Sequence, residues 1–143
     1  MSFEVLPDEM IVEMMWLVPR AYGHLSQLNK RCKGIVAPHL EWAKTASCAK
    51  VTAENIEYWV LPNGQRHGKY KSYFDTGDLG YEATYVDGMK HGNSVAWDKS
   101  GHLCYKFQWV NNEFHGENIT YLFDGATVIT RYNRGKCIEV IQI

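Results

Sequence analysis

The sequence predicts an α+β fold, in which an N-terminal segment of three to four helices precedes an antiparallel β-meander of hairpin repeats. Apolar residues recur at helical spacing between Met10 and Val18. Further along the chain, glycine and aromatic residues recur every 24 residues, and the stretches between them alternate apolar and polar side chains. We therefore expect a helical segment over residues 1–50 and a repeat sheet over residues 51–143.

The helical segment begins at Leu6-Pro7-Asp8-Glu9, where a proline and two acids suit the first turn of a helix. This helix should end before Pro19, because the residue that precedes a proline is disfavoured in the helical region. We expect short helices over residues 21–28 and 29–36 and another after Pro38. Residues 45–53 are expected to form a linker.

Three columns of residues recur in register, each with a spacing of 24 residues. They are a His-Gly pair, a second glycine and an aromatic residue: His67-Gly68, His91-Gly92 and His115-Gly116; Gly77, Gly101 and Gly125; Tyr73, Trp97 and Tyr121. The repeat units lie near residues 63–86, 87–110 and 111–133, with partial units at both ends. The third unit lacks one residue, so that Tyr132 takes the place of Trp109.

Each unit is predicted to hold two strands and two turns. Asn63-Gly64 and Asp75-Thr76-Gly77 tolerate positive φ and therefore predict chain reversals. Alternation in the second strands makes one face of the sheet apolar and the other polar. Residues 56–61 should form a leading half-unit that aligns with residues 80–85, and residues 138–143 should form a closing strand.

These units resemble MORN repeats, and the variant most similar to them is the one in bacterial antitoxin-like proteins, which carries N-G-x-x-H-G. The resemblance covers residues 56–137. The strict family form has a glycine where this chain has Tyr70, Ser94 and Asn118. The resemblance implies a sheet that binds other proteins.

The stretch from Leu6 to about Ile35 resembles an F-box, on the strength of Leu6-Pro7-Asp8-Glu9 and Leu28-Asn29-Lys30-Arg31-Cys32. The resemblance implies docking on the adaptor subunit of a cullin-RING ubiquitin ligase. The residues that it implicates in partner binding are Leu6, Pro7, Met10, Leu28 and Cys32. In an alternative interpretation, the apolar side chains of this segment only cap the open end of the sheet.

Helices of this kind fused to MORN-like repeats also resemble protein families of large DNA viruses that infect amoebae. That resemblance implies an intracellular viral protein in the cytoplasm of a eukaryotic host, or a virion component. The start of the sequence lacks the pattern of a signal peptide, and the four cysteines are scattered, which agrees with an intracellular protein.

Composition and motifs argue against several function classes. The net charge of −1 gives no basic patch for nucleic acid, and no apolar run is long enough to span a membrane. The three His-Gly columns should lie roughly 10 Å apart, too far to share a metal ion. No hydrolase or phosphate-binding motif occurs. We expect no catalytic residue, metal ligand or cofactor.

The function predicted from these features is a non-enzymatic protein–protein interaction adaptor, with a structural or virion building block and an antitoxin-like masking protein as alternatives. One group of aromatic residues forms either a peptide groove or a core: Tyr81, Tyr85, Tyr105, Phe107, Trp109 and Tyr132. We expect the His-Gly glycines to lie where the hairpins reverse, with positive φ at two or more of them, and we expect similar burial along the aromatic column. We also expect an exposed apolar patch at Leu6, Pro7 and Met10, with Ile11 or Met14 packed inward.

Overall fold

The computed structural model describes residues 7–28 and 30–143. Helices come first in the chain, and a ten-stranded antiparallel meander follows, so the predicted α+β fold class is confirmed. The chain divides into two compact units. A helical unit runs to Ala49 and includes Leu61–Asn63, and a sheet unit comprises Lys50–Val60 and Gly64–Ile143.

The described residues of the helical unit form four α-helices and two 3-10 turns. The helices are α1 (Asp8–Leu17), α2 (Tyr22–Leu28), α3 (Lys30–Val36) and α4 (Leu40–Ser47). The 3-10 turns, Pro19–Ala21 and Ala37–His39, each begin with or contain a proline, which lacks the N–H that a continuing helix needs. The predicted helices are therefore present, with ends that differ by a residue or two.

The core of the helical unit contains side chains with almost no exposed surface: Ile11, Met15, Leu25, Cys32 and Val36. Ile11 and Met15 lie four residues apart and therefore on one face of α1, which packs inward. An ion pair between Asp8 and Arg31 joins the start of α1 to α3.

The sheet unit contains ten strands. They are β1 (Ala49–Ala53), β2 (Ile56–Val60), β3 (Arg66–Tyr73), β4 (Leu79–Val86), β5 (Met89–Trp97), β6 (Leu103–Val110), β7 (Glu113–Phe114), β8 (Gly116–Tyr121), β9 (Thr127–Asn133) and β10 (Lys136–Gln142). Strands follow one another in sequence order, except that β7 and β8 both pair with β6. The expected linker at residues 45–53 is wrong, because α4 extends to Ser47 and β1 begins at Ala49.

Two-residue turns and five-residue loops alternate from β3 onward. The two-residue turns are Asp87-Gly88, Asn111-Asn112 and Arg134-Gly135, and all six residues have positive φ. This conformation matches the type I′ turn, whose twist suits a β-hairpin. Each five-residue loop closes with a hydrogen bond from the N–H of its glycine, at Gly77, Gly101 or Gly125, to a carbonyl three residues earlier. The predicted reversals are therefore present.

His67-Gly68 and His91-Gly92 occupy β-bulges within β3 and β5, whereas His115 lies in the break between β7 and β8 and Gly116 begins β8. Gly68, Gly92 and Gly116 have φ of 92°, 84° and 67°, which confirms the prediction of positive φ. Our expectation that they lie at the chain reversals is wrong. Gly92, for example, lies where Ala83 pairs with Ser94 but Tyr85 pairs with Lys90, so extra residues of β5 bulge out of the ladder.

The pairing of the strands confirms that the third repeat unit is one residue shorter than the first two. Gly68 pairs with Tyr85, Gly92 with Trp109 and Gly116 with Tyr132, so Tyr132 does take the place of Trp109.

The leading half-unit aligns one residue later than expected. Ser72 of β3 pairs with Ile56 of β2 on one side and with Tyr81 of β4 on the other. Ile56 therefore corresponds to Tyr81 rather than to Gly80. The shift arises because the loop Leu61–Gln65 carries an additional residue at Pro62, which cannot donate to a strand ladder.

Candidate functional site

The two faces of the sheet differ in chemistry. Glu82 lies between Tyr81 and Ala83 in β4, and by strand alternation its side chain lies on the opposite face from theirs. On this polar face, Glu82 pairs with Lys69 at 2.7 Å. Three further glutamates share that face and form ion pairs: Glu57, Glu117 and Glu139. The Lys50 ammonium, hydrogen-bonded to Glu57, lowers the pKa of that carboxyl.

The other face carries an unbroken series of ring contacts, and we call it the aromatic face. Its members are Tyr58, Tyr70, Tyr81, Tyr85, Tyr105, Phe107, Trp109, Phe114 and Tyr132. Ring centroids of neighbouring members lie between 4.2 and 6.4 Å apart. Such separations are typical of favourable aromatic pairs.

Small buried residues form the floor of the aromatic face. Ala83, Ser94 and Ala96 occupy the central strands β4 and β5, where larger rings on both sides cover them. The indole N–H of Trp109 donates a hydrogen bond of 2.8 Å to the Ser94 hydroxyl. Burial raises the pKa of the Tyr81 and Tyr105 phenols. The face therefore presents neutral, amphipathic rings over a tightly packed floor.

A further repeat column, which we did not identify from the sequence, crosses the aromatic face. It consists of the residue before each His-Gly pair, namely Arg66, Lys90 and Phe114. The carbonyl of each accepts a hydrogen bond from the two-residue turn one repeat later: Gly88 N–H at 2.8 Å, Asn112 N–H at 3.0 Å and Gly135 N–H at 2.9 Å. The same backbone contact thus fixes all three positions, which we call the cage column.

Each residue of the cage column lies on aromatic rings. The Arg66 guanidinium is 5.1 Å from the ring centroids of both Tyr58 and Tyr70. The Lys90 ammonium lies 4.6 Å from the ring of Trp109. Cation–π contacts at exposed sites contribute about 0.5–1 kcal/mol each.

Phe114 occupies the third position of the cage column. Its ring packs on Trp109 at 4.2 Å and on Tyr132 at 5.1 Å between centroids. An aromatic ring here thus fills the place that a cation fills in the two earlier repeats.

The two cations of the cage column have no acidic partner among the described residues. Each ion pair that the described part of the chain forms involves another lysine, arginine or histidine. The glutamates that would neutralise Arg66 and Lys90 lie on the polar face. The aromatic face is therefore positively charged, although the whole chain has a net charge of −1.

Two of the three repeated histidines contact the two-residue turn one repeat later. His67 Nδ1 accepts the backbone N–H of Asp87 at 3.3 Å, and His91 Nδ1 lies 3.4 Å from Asn111 Oδ1. His115 Nδ1 is buried without a hydrogen-bond partner among the described residues. No three His, Cys, Asp or Glu side chains in the described ranges lie close enough to hold a metal ion.

The aromatic column of the sequence lies outside the aromatic face. Tyr73, Trp97 and Tyr121 end strands β3, β5 and β8, beside the five-residue loops, and all three are half-buried. The prediction of similar burial is confirmed. The Tyr73 hydroxyl hydrogen-bonds to Glu57 of the polar face.

The residues implicated by the F-box resemblance occupy different environments. Leu6 lies outside the described residues, as does the side chain of Leu28 at the end of α2. Pro7 is exposed at the N-cap of α1, and Met10 is also exposed. Cys32 has no exposed surface, so its side chain supports the helical core rather than contacting a partner.

An exposed apolar stripe runs along α1. Met10, Met14 and Leu17 are 45%, 36% and 82% exposed, and their spacing places them on one side of the helix. Ile11 packs inward as predicted, whereas Met14 lies on the exposed side. We call these three residues the α1 stripe.

No protein-family model and no curated protein sequence matches this chain. The resemblances to MORN repeats and to an F-box therefore stay predictions from the residues quoted above. None of the helices in the described ranges is long and apolar enough to cross a membrane.

Proposed function

We propose that this protein is a non-enzymatic protein–protein interaction adaptor. In this proposal the aromatic face of the sheet binds a target, and the F-box-like helices dock on the adaptor subunit of a cullin-RING ubiquitin ligase. The observation that carries the proposal is the continuous aromatic face with two cations that have no acidic partner among the described residues.

The chemistry of the aromatic face suits protein binding. Tyrosine and tryptophan provide a large contact area and lose few rotamers when a partner binds, and together with arginine they dominate interface hot spots. The ring contacts and the buried floor hold the side chains in place before a partner arrives. Little ordering entropy would therefore oppose binding.

A random linear peptide library displayed on phage tests the role of the sheet. Selection on the full-length protein should enrich a family of peptides, and Lys90→Glu should abolish the enrichment. Lys106→Glu is the matched control, because Lys106 lies on the adjacent strand but on the polar face. Equal loss with both variants, or no enrichment on the wild type, would contradict the proposal.

The α1 stripe supports the docking role of the helices. Apolar residues that are exposed side by side mark interaction sites, whereas single exposed apolar residues are common on any protein surface. Met10→Glu combined with Met14→Glu should abolish binding of the purified adaptor subunit in isothermal titration calorimetry. The melting temperature should change little, because both side chains are already exposed.

Gln27→Glu adds a charge at an exposed position of α2 and provides the control for added charge. If wild-type protein at micromolar concentration does not bind the adaptor subunit, the docking proposal is refuted, whereas the proposal for the sheet is unaffected.

A structural building block is the second candidate function. Strand β10 is the last strand of the sheet and carries Ile138 and Val140 at 67% and 62% exposure. An exposed apolar edge strand is a template for pairing with another chain. Light scattering over a range of concentrations distinguishes the candidates, since a building block should assemble and an adaptor should stay monomeric.

A further inference from the structure

We propose that the aromatic face recognises a proline-rich segment in the polyproline II conformation that carries acidic side chains three residues apart. One acid contacts Arg66, the next contacts Lys90, and an apolar residue three positions further on contacts Phe114. This inference rests on the proposed role of the aromatic face and specifies the chemistry of its partner.

Charge selects the acidic side chains. Arg66 is an exposed residue whose guanidinium lies 5.1 Å from the centroids of two tyrosine rings, which restrict its position. A guanidinium in a fixed orientation binds a carboxylate or phosphate with two parallel hydrogen bonds. The lack of acids on this face leaves both cations available to a partner. An anionic segment therefore gains charge-assisted contacts without first breaking an ion pair.

Spacing selects the conformation of the segment. Arg66 and Lys90 lie on β3 and β5, which are two strands apart, and neighbouring strands are separated by ~4.7–4.9 Å. The two positions in the cage column are thus roughly 9.6 Å apart across the sheet. A polyproline II helix has about 3 residues per turn and a rise of ~3.1 Å, so every third side chain recurs on one side after ~9.3 Å.

An extended β-strand does not fit this spacing. Its side chains recur on one side every second residue, after ~6.7 Å, or every fourth, after ~13 Å. Neither distance matches the separation of the cage column. The polyproline II repeat matches it within about half an ångström, and the match is maintained from Lys90 to Phe114 because those residues are again two strands apart.

The rings between the cage-column positions select proline. Tyr81 and Trp109 lie beside Lys90 and are only half-buried, whereas Tyr85 beside Arg66 is buried. Aromatic-lined grooves bind polyproline II segments, which are already ordered before binding. Prolines between the acidic residues would therefore contact the Tyr81 and Trp109 rings at a low entropic cost.

Phe114 gives the site a direction. An aromatic ring at the third position disfavours an acid there and favours an apolar side chain. The full pattern is therefore acid-x-x-acid-x-x-apolar, with proline at several of the x positions. A segment bound in the reverse direction would place its apolar residue over Arg66.

Fluorescence anisotropy with labelled synthetic peptides and the full-length protein tests the pattern. The test peptide has glutamate at positions 1 and 4, leucine at position 7 and proline at most other positions. The register control has the same composition with glutamate at positions 1 and 3. We expect the test peptide to bind at least tenfold more tightly than the control, and equal affinities would overturn the inference.

Two variants sharpen the test. Lys90→Ala should weaken binding of the test peptide at least tenfold, whereas Lys106→Ala on the polar face should not. Phe114→Lys gives the third repeat a cation at the position where the two earlier repeats have one. It should shift the preference at peptide position 7 from leucine to glutamate. An unchanged preference would overturn the assigned direction and register.

Failure of this inference is distinguishable from failure of the proposed function. If phage selection enriches peptides that lack the three-residue acidic spacing and Lys90→Glu still abolishes enrichment, the face binds protein but the pattern is wrong. If selection enriches nothing, the proposed function itself is refuted.

Discussion

Gly92 tests the reasoning about the bulges. Its φ of 84° lies in the left-handed region, and an added Cβ would meet no atom within 4 Å. A steric clash of the added Cβ therefore does not contribute to the effect of a substitution. A β-branched side chain in such a conformation costs about 2–3 kcal/mol. Loss of glycine stabilises by about 0.4–1 kcal/mol, since the unfolded chain becomes less flexible. Gly92→Val should therefore destabilise the protein by about 1–2 kcal/mol.

Urea unfolding followed by far-ultraviolet circular dichroism measures this change. With a slope of about 2 kcal/mol/M, the middle of the usual range for urea, the midpoint should fall by roughly 0.5–1 M at constant slope. Gly92→Asn is the matched control, because asparagine visits the left-handed region with little strain. The variant should lie within about 0.5 kcal/mol of wild type. An unchanged midpoint for the valine variant, or equal losses for both, would refute the reasoning.

Three further predictions concern burial and charge. Trp97→Ala should destabilise by about 1.5–2.5 kcal/mol in the same urea assay, roughly half the loss for a fully buried tryptophan, because Trp97 is half-buried. Burial raises the pKa of Asp98, but hydrogen bonds from the backbone N–H groups of His102 and Ser100 outweigh it and lower that pKa below its ordinary 3.8. The lowered pKa stabilises the fold above about pH 4, and that stabilisation is lost as the pH falls through the folded-state pKa. Asp98→Asn keeps the hydrogen-bond acceptor, so a pH series of thermal melts should show less acid-dependent loss than wild type; an identical loss would contradict the assignment. Ile11→Ala should cost about 2–5 kcal/mol and Met10→Ala less than about 0.5 kcal/mol, since only the first side chain is buried. Equal thermal shifts for these two neighbours would show that the face of α1 is misassigned.

The sequence predicts the meander well because its signals are local. A two-residue turn such as Asp87-Gly88 specifies a hairpin through the conformations that those residues tolerate, independently of distant contacts. The shortened third unit is predictable for the same reason, since Tyr132 keeps its place relative to the turn that follows. Helix ends marked by Pro19 and Pro38 are equally local.

The bulges and the cage column depend on register, which a single strand does not specify. Gly92 has the composition of a turn, and only its pairing with Trp109 in the next strand shows that it lies inside β5. Arg66 and Lys90 are chemically similar, but Phe114 is not, so the column is hidden from a search by residue type. Its signal is positional, because all three residues precede a His-Gly pair. The same limit explains the misalignment of β2, where Pro62 adds one residue.

The hydrogen bonds between the cage column and the next two-residue turn have an evolutionary consequence. The backbone of Arg66 contacts Gly88 and that of Lys90 contacts Asn112, so each repeat is joined to its successor by the same contact. Duplication or loss of 24 residues would therefore recreate this contact at the new junction. In the proposed binding mode, a chain altered in this way would bind a peptide that is longer or shorter by three residues per repeat, and a single substitution at the residue before His-Gly would change the side chain bound there. Specificity in such a family can thus change by whole modules without redesign of the fold.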